Sequence, residues 1–384
     1  MENKIYDYVI IGAGIAGCST AYFLSRHTNN ILLIDKNDSV AGGASGAAGA
    51  FLSPLLGKNN SFKDLVTKAL KFSTQFYKDN FSDCIINNGV LRIPKNEDDR
   101  EKFKTYDHDF EFTINDNGYF FPIGSLINST KLCLNLTTNI NKLLGFNVDK
   151  IKFADNLWYI NDKIKTKNLI LCTGAYVDFL PSYVQIRPVW GQRIVCKSSK
   201  KLTHNYHKEC SVSLSLDNTY DNDTKKPYLI SIGATHHRLV LEKKCDNTFV
   251  FPNFSTCNHC PTGCKEDTQK LLAMANDIIK LDDLEVIEAY GGARASSHDY
   301  FPVIGDLVDD TLTLKEFSYL KNGTYVPSNR FTRHKNLFVL NGVGGRGFVL
   351  SPYLAKQLVE HIIGGKELEE DIKSERLFKR WVKK

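Results

Sequence analysis

The stretch Asp7-Tyr-Val-Ile-Ile-Gly-Ala-Gly-Ile-Ala-Gly-Cys18, followed after a gap by Ile31-Leu-Leu-Ile-Asp35, decides the fold. The apolar run from Tyr8 to Ile11 predicts a buried parallel strand, and the residues from Ala16 to Ser25 have a helical pattern. A second buried strand follows from Ile31 to Ile34. The order of strand, glycines, helix and strand predicts a unit that binds a dinucleotide, either a flavin or a nicotinamide.

Each glycine of this stretch has a physical role. Gly12 permits the tight turn out of the strand, Gly14 lets the backbone approach a pyrophosphate, and Gly17 lets the helix pack closely on the sheet. Asp35 ends the second strand, where it can accept hydrogen bonds from ribose hydroxyls. Glycine-rich turns also occur as plain loops, but the complete order of these elements favours the dinucleotide site.

Length and composition set the class of protein. With 384 residues, the chain predicts two domains. Its hydrophobic fraction of 42% and charged fraction of 24% are typical of globular proteins. The sequence has no run of about 18 apolar residues and no signal-peptide pattern, so we expect no membrane span and a cytoplasmic location. The net charge of +6 is compatible with a polyanionic partner without requiring one.

The ten cysteines are scattered, and we expect reduced thiols rather than a disulfide framework. Four of them cluster, in Cys257-Asn-His-Cys260-Pro-Thr-Gly-Cys264 with Cys245 upstream. This spacing matches half of the usual pattern for structural zinc. Two interpretations stay open, a zinc site and a cysteine-rich surface insert, and metal analysis of the purified protein distinguishes them.

A loop of small residues, Val40 to Pro54, follows the second strand. It is either a flexible linker or an ordered loop whose backbone lies against a flat ring and a ribityl chain. In the second case Ser45 can donate to a phosphate. Further along, Leu132 to Leu144 has a helical pattern, and strand-like segments from Arg187 to Gly233 predict an antiparallel sheet.

Three later stretches also combine strands with glycines. Asn168 to Tyr176 is a buried strand that ends in Thr173-Gly174, and Glu285 to Gly305 contains Gly-Gly-Ala-Arg294. Asn336 to Pro352 is a buried strand followed by a glycine cluster, with a helix predicted from Pro352 to Ile363. The backbone N–H groups at the start of that helix favour negative charge on a nearby ring.

Together these landmarks resemble the D-amino-acid-oxidase superfamily of FAD enzymes, which includes glycine oxidase and sarcosine oxidase. Within it, the resemblance is strongest to the FAD oxidase half of the bifunctional MnmC enzymes, which act on the wobble uridine of tRNA. The matching segments are Gly43 to Leu56, Ile232 to Thr235, Gly292 to Gly305, and Gly342 to Pro352.

The resemblance implies an α/β fold with two parts. The first is a two-dinucleotide-fold FAD-binding domain formed by residues 1–80, 130–185 and 285–384. The second is an α+β substrate domain, built on an antiparallel sheet and formed by residues 81–129 and 186–284.

The resemblance also assigns site residues. FAD is expected to be noncovalent, because Ala295-Ser-Ser297 lacks the cysteine to which sarcosine-oxidase relatives attach it. No metal is expected in the reaction. The implied FAD-binding residues are Gly12, Gly14, Ile15, Ala16, Gly17, Asp35, Lys36, Ala44, Ser45, Thr173, Gly174, Gly342, Gly344, Gly345, Arg346 and Gly347.

The implied reaction removes the carboxymethyl group from 5-carboxymethylaminomethyl-uridine in tRNA and leaves 5-aminomethyl-uridine and glyoxylate. Arg294 is expected to bind the substrate carboxylate, with Tyr290 assisting; the alternative for Arg294 is a structural ion pair. The methyltransferase half of the bifunctional enzymes has no counterpart here, so a separate methyltransferase chain is a possible partner.

Two other functions stay open from the sequence. One is oxidation of a free small amine such as glycine, sarcosine or a D-amino acid, and the other is a flavin-binding protein without turnover. A tRNA enzyme needs basic surface near its site. The candidates for such a surface are Lys225-Lys226, Lys243-Lys244, Arg330, Arg333-His334-Lys335 and the tail from Lys373 to Lys384.

Overall fold

The computed structural model describes residues 4–106, 108–216, 225–238, 242–243, 249–250 and 264–383. Within them the strands form one large sheet built around a parallel core, one large antiparallel sheet and two small sheets. The strands are β1 Ile5–Ile11, β2 Ile31–Ile34, β3 Phe51–Leu52, β4 Ile85–Ile86, β5 Val90–Arg92, β6 Thr113–Asn115, β7 Gly118–Phe121, β8 Ser125–Ile127, β9 Asn141–Leu143, β10 Ile151–Ala154, β11 Leu157–Ile160, β12 Ile164–Leu171, β13 Ile186–Ser198, β14 Asn205–His207, β15 Ser211–Leu214, β16 Tyr228–Gly233, β17 His237–Arg238, β18 Glu242–Lys243, β19 Phe249–Val250, β20 Glu285–Ser297, β21 Val303–Val308 and β22 Arg333–Asn341.

The helices are interspersed among these strands. They are α1 Ile15–Leu24, α2 Ala44–Ala47, α3 Ser61–Asn80, α4 Glu97–Lys104, α5 Ser129–Leu136, α6 Lys265–Asn276, α7 Asp310–Glu316, α8 Gly347–Gly364 and α9 Glu375–Trp381.

The first large sheet contains the dinucleotide unit. β1 lies between β2 and β12, and all three are parallel. β12 continues the parallel sheet to β22 through its second half, while its first half pairs with β11. Because β1, β12 and β22 run in the same direction, their carboxyl ends meet at one edge of the sheet, where ligands bind in open α/β folds.

The helices α1, α3 and α8 pack together over one face of this sheet, and their apolar residues form the largest buried cluster. The helix predicted from Pro352 begins earlier, at Gly347. Proline inside a helix leaves the carbonyl four residues before it without its usual donor. Here that carbonyl belongs to Phe348, and the buried Tyr77 hydroxyl of α3 donates to it at 2.8 Å.

The prediction of one helix from Leu132 to Leu144 is wrong in its second half. α5 ends at Leu136, and Asn141–Leu143 forms β9, which pairs with β2. The hydroxyl of Thr137 donates to the Cys133 carbonyl at 2.8 Å. Such side-chain bonds compete with the helix backbone, and pairing with an exposed sheet edge then favours a strand.

The second large sheet is built around two long antiparallel strands, β13 and β20. The other edge of β13 pairs with β16 and β17, and the sheet continues through β15, β14, β5, β7 and β6. β20 belongs to this sheet, although its residues fall within the predicted FAD-binding segment 285–384. The predicted domain boundaries themselves stay a prediction.

Candidate active site

The turn between β1 and α1 has the geometry that its glycines predict. Gly12 has φ +109°, and a Cβ atom there would lie 2.2 Å from the carbonyl oxygen of Cys172, at the end of β12. A Cβ atom at Gly17 would lie 1.8 Å from the carbonyl oxygen of Gly12. Any side chain at either position therefore separates the sheet from α1, and both glycines are required by backbone packing alone.

The small-residue loop closes over the start of α1. The Ser45 hydroxyl accepts a hydrogen bond from the backbone N–H of Ile15 at 3.0 Å, so its own proton stays available to an anion. A Cβ atom at Gly14 would lie 3.1 Å from this hydroxyl. Gly14, Ile15, Ala16, Ala44 and Ser45 line one end of a large cavity, which places the positive end of α1 where a pyrophosphate would bind.

Asp35 ties the end of β2 to the glycine turn. One carboxylate oxygen accepts from the backbone N–H of Ala13 at 2.6 Å, and the other accepts from the backbone N–H of Asn37 at 2.8 Å. The predicted bond to ribose would use the lone pairs that these bonds leave. The ammonium group of the neighbouring Lys36 lies 3.3 Å above the ring of Tyr176. The roles of Asp35 and Lys36 in binding FAD stay predictions.

The late glycine cluster and the end of β12 are held together by Asn341, the last residue of β22. Its side-chain N–H donates to the Gly174 carbonyl at 3.0 Å, and its carbonyl oxygen accepts from the N–H of Gly342 at 2.7 Å. Gly342 and Gly344 have φ values of +75° and +57°. The structure therefore brings the predicted Gly174 and the cluster Gly342 to Gly347 to one place; the adjacent Thr173 instead uses its hydroxyl to donate to the Tyr176 carbonyl.

The cavity that these segments enclose has a volume of about 740 Å³, within the range of about 300–1,000 Å³ usual for ligand sites. Two helix starts, those of α1 and α8, open onto it, and the small-residue loop lines it between them. A Cβ atom at Gly347 would lie 3.1 Å from Ile15, so the two helix starts are close neighbours. Two positive helix ends and a cradle of glycines suit a long cofactor with a diphosphate and an electron-rich ring.

Arg294 of β20 lines the cavity beside the glycine cluster, where a Cβ atom at Gly345 would lie 3.5 Å from its Cδ. Its guanidinium donates to the Thr235 carbonyl at 3.1 Å, and burial lowers its pKa from the ordinary value. A Cβ atom at Gly191 would lie 2.5 Å from this guanidinium, so Gly191 makes the room in which the arginine lies. Among the described residues, no ion pair involves Arg294. The alternative interpretation, a structural ion pair, therefore has no support in the described part of the chain.

Thr235 is itself held by a buried network. Its hydroxyl accepts from the backbone N–H of Gln192 at 2.9 Å and donates to the Asp267 carboxylate at 3.1 Å. Asp267 is buried in the first turn of α6 and also contacts the His237 ring at 2.8 Å. The network fixes the carbonyl that orients Arg294.

Arg193 and Arg346 also line the cavity, and Arg92 lies beside them; of these three arginines only Arg346 was predicted as a site residue. Arg193 is buried and donates to the Ala47 carbonyl at 3.0 Å. Arg92 donates to the Ser53 hydroxyl at 3.2 Å, and Arg346 donates to the Ser53 carbonyl at the same distance. Burial lowers the pKa of Arg346 to about 10; burial and the nearby Arg346 charge lower that of Arg92 to about 9. Arg193, Arg294 and Arg346 thus line the cavity against two acidic residues, Glu209 and Asp299, and Asp299 is already paired with Arg376, so positive charge is in excess.

Two histidines line the same cavity. Burial, followed by the charges of Arg92 and Arg346, holds the pKa of His207 well below its usual value. Burial, followed by the charge of Arg294, lowers the pKa of His236. Both rings are therefore favoured in the neutral form near neutral pH, and each is a weaker base than a free imidazole.

Tyr290 lies four residues before Arg294 on β20, outside the residues that line the cavity. Its hydroxyl donates to the Glu288 carboxylate, and its ring lies 4.2 Å from the guanidinium of Arg193. Any influence of Tyr290 on a substrate would therefore pass through Arg193, and its assisting role stays a prediction.

The cavity-lining thiols are Cys172 and Cys210, and burial raises the pKa of each to about 12. Of the four clustered cysteines, Cys245, Cys257 and Cys260 lie outside the described residues, so the zinc hypothesis stays untested. Cys264 immediately precedes α6, and its backbone N–H donates to the side-chain carbonyl of Gln192 at 2.8 Å.

Comparison with known proteins identifies the class that this site defines. Residues 7–361 match the sequence model of the family described as FAD dependent oxidoreductase, and the chain belongs to that family. The predicted fold class and the prediction of FAD as the cofactor are confirmed.

Among curated relatives, the chain is similar to the tRNA 5-methylaminomethyl-2-thiouridine biosynthesis bifunctional protein MnmC. It is 24% identical to that of Legionella pneumophila strain Corby, covering 91% of this chain and 53% of the relative. It is 27% identical to that of Campylobacter jejuni serotype O:2, covering 93% of this chain and 55% of the relative. The chain thus spans about half the length of these relatives.

Solved structures show the same fold. Glycine oxidase from Bacillus cereus superposes with a TM-score of 0.69 at 18% identity, covering 94% of this chain and 96% of that one. Fructosamine oxidase from Aspergillus fumigatus superposes with a TM-score of 0.73 at 16% identity, covering 96% of this chain and 89% of that one. Among the helices of the described residues, we find none with the length and apolarity that a membrane span requires.

Proposed function

We propose that this enzyme oxidises a secondary amine that carries a carboxymethyl arm, and that its substrate is 5-carboxymethylaminomethyl-uridine at the wobble position of tRNA. The products are 5-aminomethyl-uridine and glyoxylate. The observation that carries this proposal is Arg294, whose half-buried guanidinium lines the same cavity as the glycine segments that suit FAD. The similarity to MnmC proteins over most of the chain supports the choice of substrate.

Arg294 binds the carboxylate of the arm. One of its N–H groups is already committed to the Thr235 carbonyl, which leaves others to make a two-point contact with the carboxylate. Since burial has removed much of the water around the guanidinium, a carboxylate there replaces lost hydration. The arm is thereby held in one orientation, as a reaction at its α-carbon requires.

His236 receives the proton of the substrate ammonium. Only a neutral amine has the lone pair that drives loss of hydride from the neighbouring carbon, so an acceptor for one proton is required. His236 lines the cavity, its lowered pKa leaves it neutral before the substrate binds, and its exposed ring can pass the proton on to solvent. Bound FAD supplies the two-electron acceptor that converts the C–N single bond of the arm to an imine, which water splits into the amine and glyoxylate.

A second candidate is the oxidation of a free small amine such as glycine, sarcosine or a D-amino acid. Arg294 would bind the carboxylate of each of these in the same way, and the fold is shared with glycine oxidase. Any methylation of the product amine is a separate reaction, which requires a methyltransferase.

Mixing experiments without oxygen distinguish the two candidates. The holoenzyme is mixed with tRNA bearing the carboxymethylaminomethyl group, with the same tRNA bearing only aminomethyl, and with glycine. We expect the visible absorbance of oxidised flavin to be lost with the first tRNA only. Mass spectrometry of that reaction should detect glyoxylate and 5-aminomethyl-uridine. Rapid loss with glycine and none with either tRNA would assign the second candidate instead.

A further inference from the structure

A second cavity of about 560 Å³ adjoins the first at Arg294. Arg294, His236, Ser296, Tyr300 and Gly345 line both cavities, so a molecule in one can reach directly into the other. Most of the remaining lining residues come from the start of β13, residues 186–189, and from Arg238 of β17. Neither the motifs of the sequence nor the chemistry of the arm assigns a role to this second cavity.

Strand pairing places its arginines on one face of the sheet. Val189 of β13 pairs with Arg294 on one side and with Arg238 on the other. Residues directly opposite one another on neighbouring strands project to the same face, and so do residues two apart on one strand. Arg187 lies two residues before Val189, so Arg187, Arg238 and Arg294 share one face.

The charge of this cavity is uniform. Three arginines line it, and no described residue that lines it is acidic. Arg238 is exposed, and Arg187 is half-buried with its guanidinium donating to Nδ1 of His298. That bond orients Arg187 without neutralising it. A cavity of this kind attracts a molecule that carries more than one negative charge.

Tyr300 gives the cavity an aromatic edge. Its side chain is 57% exposed, and its backbone has φ +68°, a conformation that is rare for residues other than glycine. Strained backbone of this kind concentrates at ligand sites. An exposed ring beside arginines is the combination that binds single-stranded nucleic acid, with bases on the ring and phosphates on the cations.

We propose that this second cavity binds the modified nucleotide itself, with the phosphates that flank it on Arg187 and Arg238 and a base against Tyr300. The proposal rests on the tRNA function proposed above. In the substrate, only two carbons and a nitrogen separate the uracil ring from the carboxylate. When that carboxylate is on Arg294, the ring and its phosphates must lie next to Arg294, which is where the second cavity opens.

Among the described residues of the basic segments favoured by the sequence, none lines this cavity. Lys226 pairs with Glu285 at 3.3 Å, Arg333 pairs with Glu375, and Lys335 donates to Asn156 at 2.8 Å. In the tail, Lys373 pairs with Glu370 at 2.8 Å. Surface cations in such pairs have less charge to offer to a phosphate.

The experiment measures binding of tRNA bearing the carboxymethylaminomethyl group to the FAD-loaded enzyme as a function of salt. Arg187→Ala and Arg238→Ala are each expected to weaken binding about ten-fold at low salt and to reduce the slope of log K against log salt by about 1. Arg238→Lys should keep the slope, because lysine also neutralises a phosphate. Tyr300→Asn, which tolerates the positive φ, should weaken binding about ten-fold with the slope unchanged.

Arg26→Ala is the matched control, since it removes one exposed positive charge beyond the far end of α1. FAD content shows that each variant is folded. If the parent oxidises the modified tRNA and the double variant of Arg187 and Arg238 binds it with unchanged affinity and slope, the inference is overturned while the proposed function stands. If the parent neither binds nor is reduced by that tRNA, the proposed function fails, and the inference with it.

Discussion

Replacing Arg294 tests the site most directly, because its guanidinium has a defined orientation and a defined purpose. The side chain lies in the space left by Gly191 and donates to the Thr235 carbonyl at 3.1 Å. A carboxylate bound there would make two charge-assisted hydrogen bonds in place of lost hydration. Arg294→Ala removes both, and Arg294→Lys leaves a charge that can make one of them.

The expected magnitude follows from these contacts. A hydrogen bond to a charged group contributes about 1.5–3 kcal/mol, so losing the pair costs about 3 kcal/mol after partial compensation by water. That loss weakens substrate binding roughly 100-fold, since about 1.4 kcal/mol corresponds to ten-fold. Arg294→Lys should lose about half of this free energy, or roughly ten-fold. FAD content should not change in either variant, because the guanidinium is bonded to the Thr235 carbonyl and not to the turn between β1 and α1.

The assay is a titration of flavin reduction without oxygen, using two forms of the substrate. One has the natural carboxylate on the arm, and the other has its amide, which carries no charge. Arg294→Ala should weaken binding of the carboxylate form by the full factor and of the amide form by much less, as a double-mutant cycle requires. Equal losses for both forms would show that Arg294 shapes the cavity without binding the carboxylate, and no loss for either would remove it from the site.

Three further outcomes are expected. Gly17→Ala should abolish FAD binding, because the new Cβ atom would lie 1.8 Å from the backbone oxygen of Gly12. Gly43→Ala is the control and should keep FAD, because a Cβ atom there has nothing within 4 Å. Equal FAD content in the two purified variants would refute the packing argument. Acid precipitation should leave all the flavin in solution, because the cavity-lining thiols are held protonated, and coloured precipitate would contradict noncovalent binding. His361 donates to Asp306 at 2.7 Å, which raises its pKa, so its stabilisation should be complete below the unfolded pKa of about 6.5 and lost as pH rises through the folded value. The free energy of unfolding, measured with urea across this pH range, should fall in the parent and stay flat in His361→Gln. Parallel pH profiles in the two proteins would show that the bond between His361 and Asp306 does not stabilise the fold.

The part of the site that sequence could predict is the part made by neighbours in the chain. The turn at Gly12 and the packing of α1 at Gly17 depend on residues a few positions apart, so the spacing of the glycines predicts both. Asp35 shows where this reasoning ends. Its position at the end of β2 is as predicted, yet the structure binds its carboxylate to the N–H of Ala13, a contact that no motif specifies.

Arg193 and Arg238, which line the two cavities, could not have been found in this way. Arg193 and Arg238 lie 45 positions apart in the sequence, and their common face follows only from the pairing of β13 with β16 and β17. Side chains alternate between faces, so a change of one residue in the register would reverse which side each occupies. Periodicity within one strand does not fix the register between strands.

The small-residue loop shows why one pattern can have two causes. The sequence explains its alanines and glycines by the close approach of a cofactor. In the structure, a Cβ atom at Gly292 of β20 would lie 2.8 Å from Cα of Ala44, so the loop is also pressed against the second sheet. Arg294 lies two residues further along the same strand. Small residues lie on both sides of this contact. They therefore fix the distance between β20, which carries Arg294, and the small-residue loop that lines the cavity. A larger side chain at Gly292 would therefore move this strand and this loop apart.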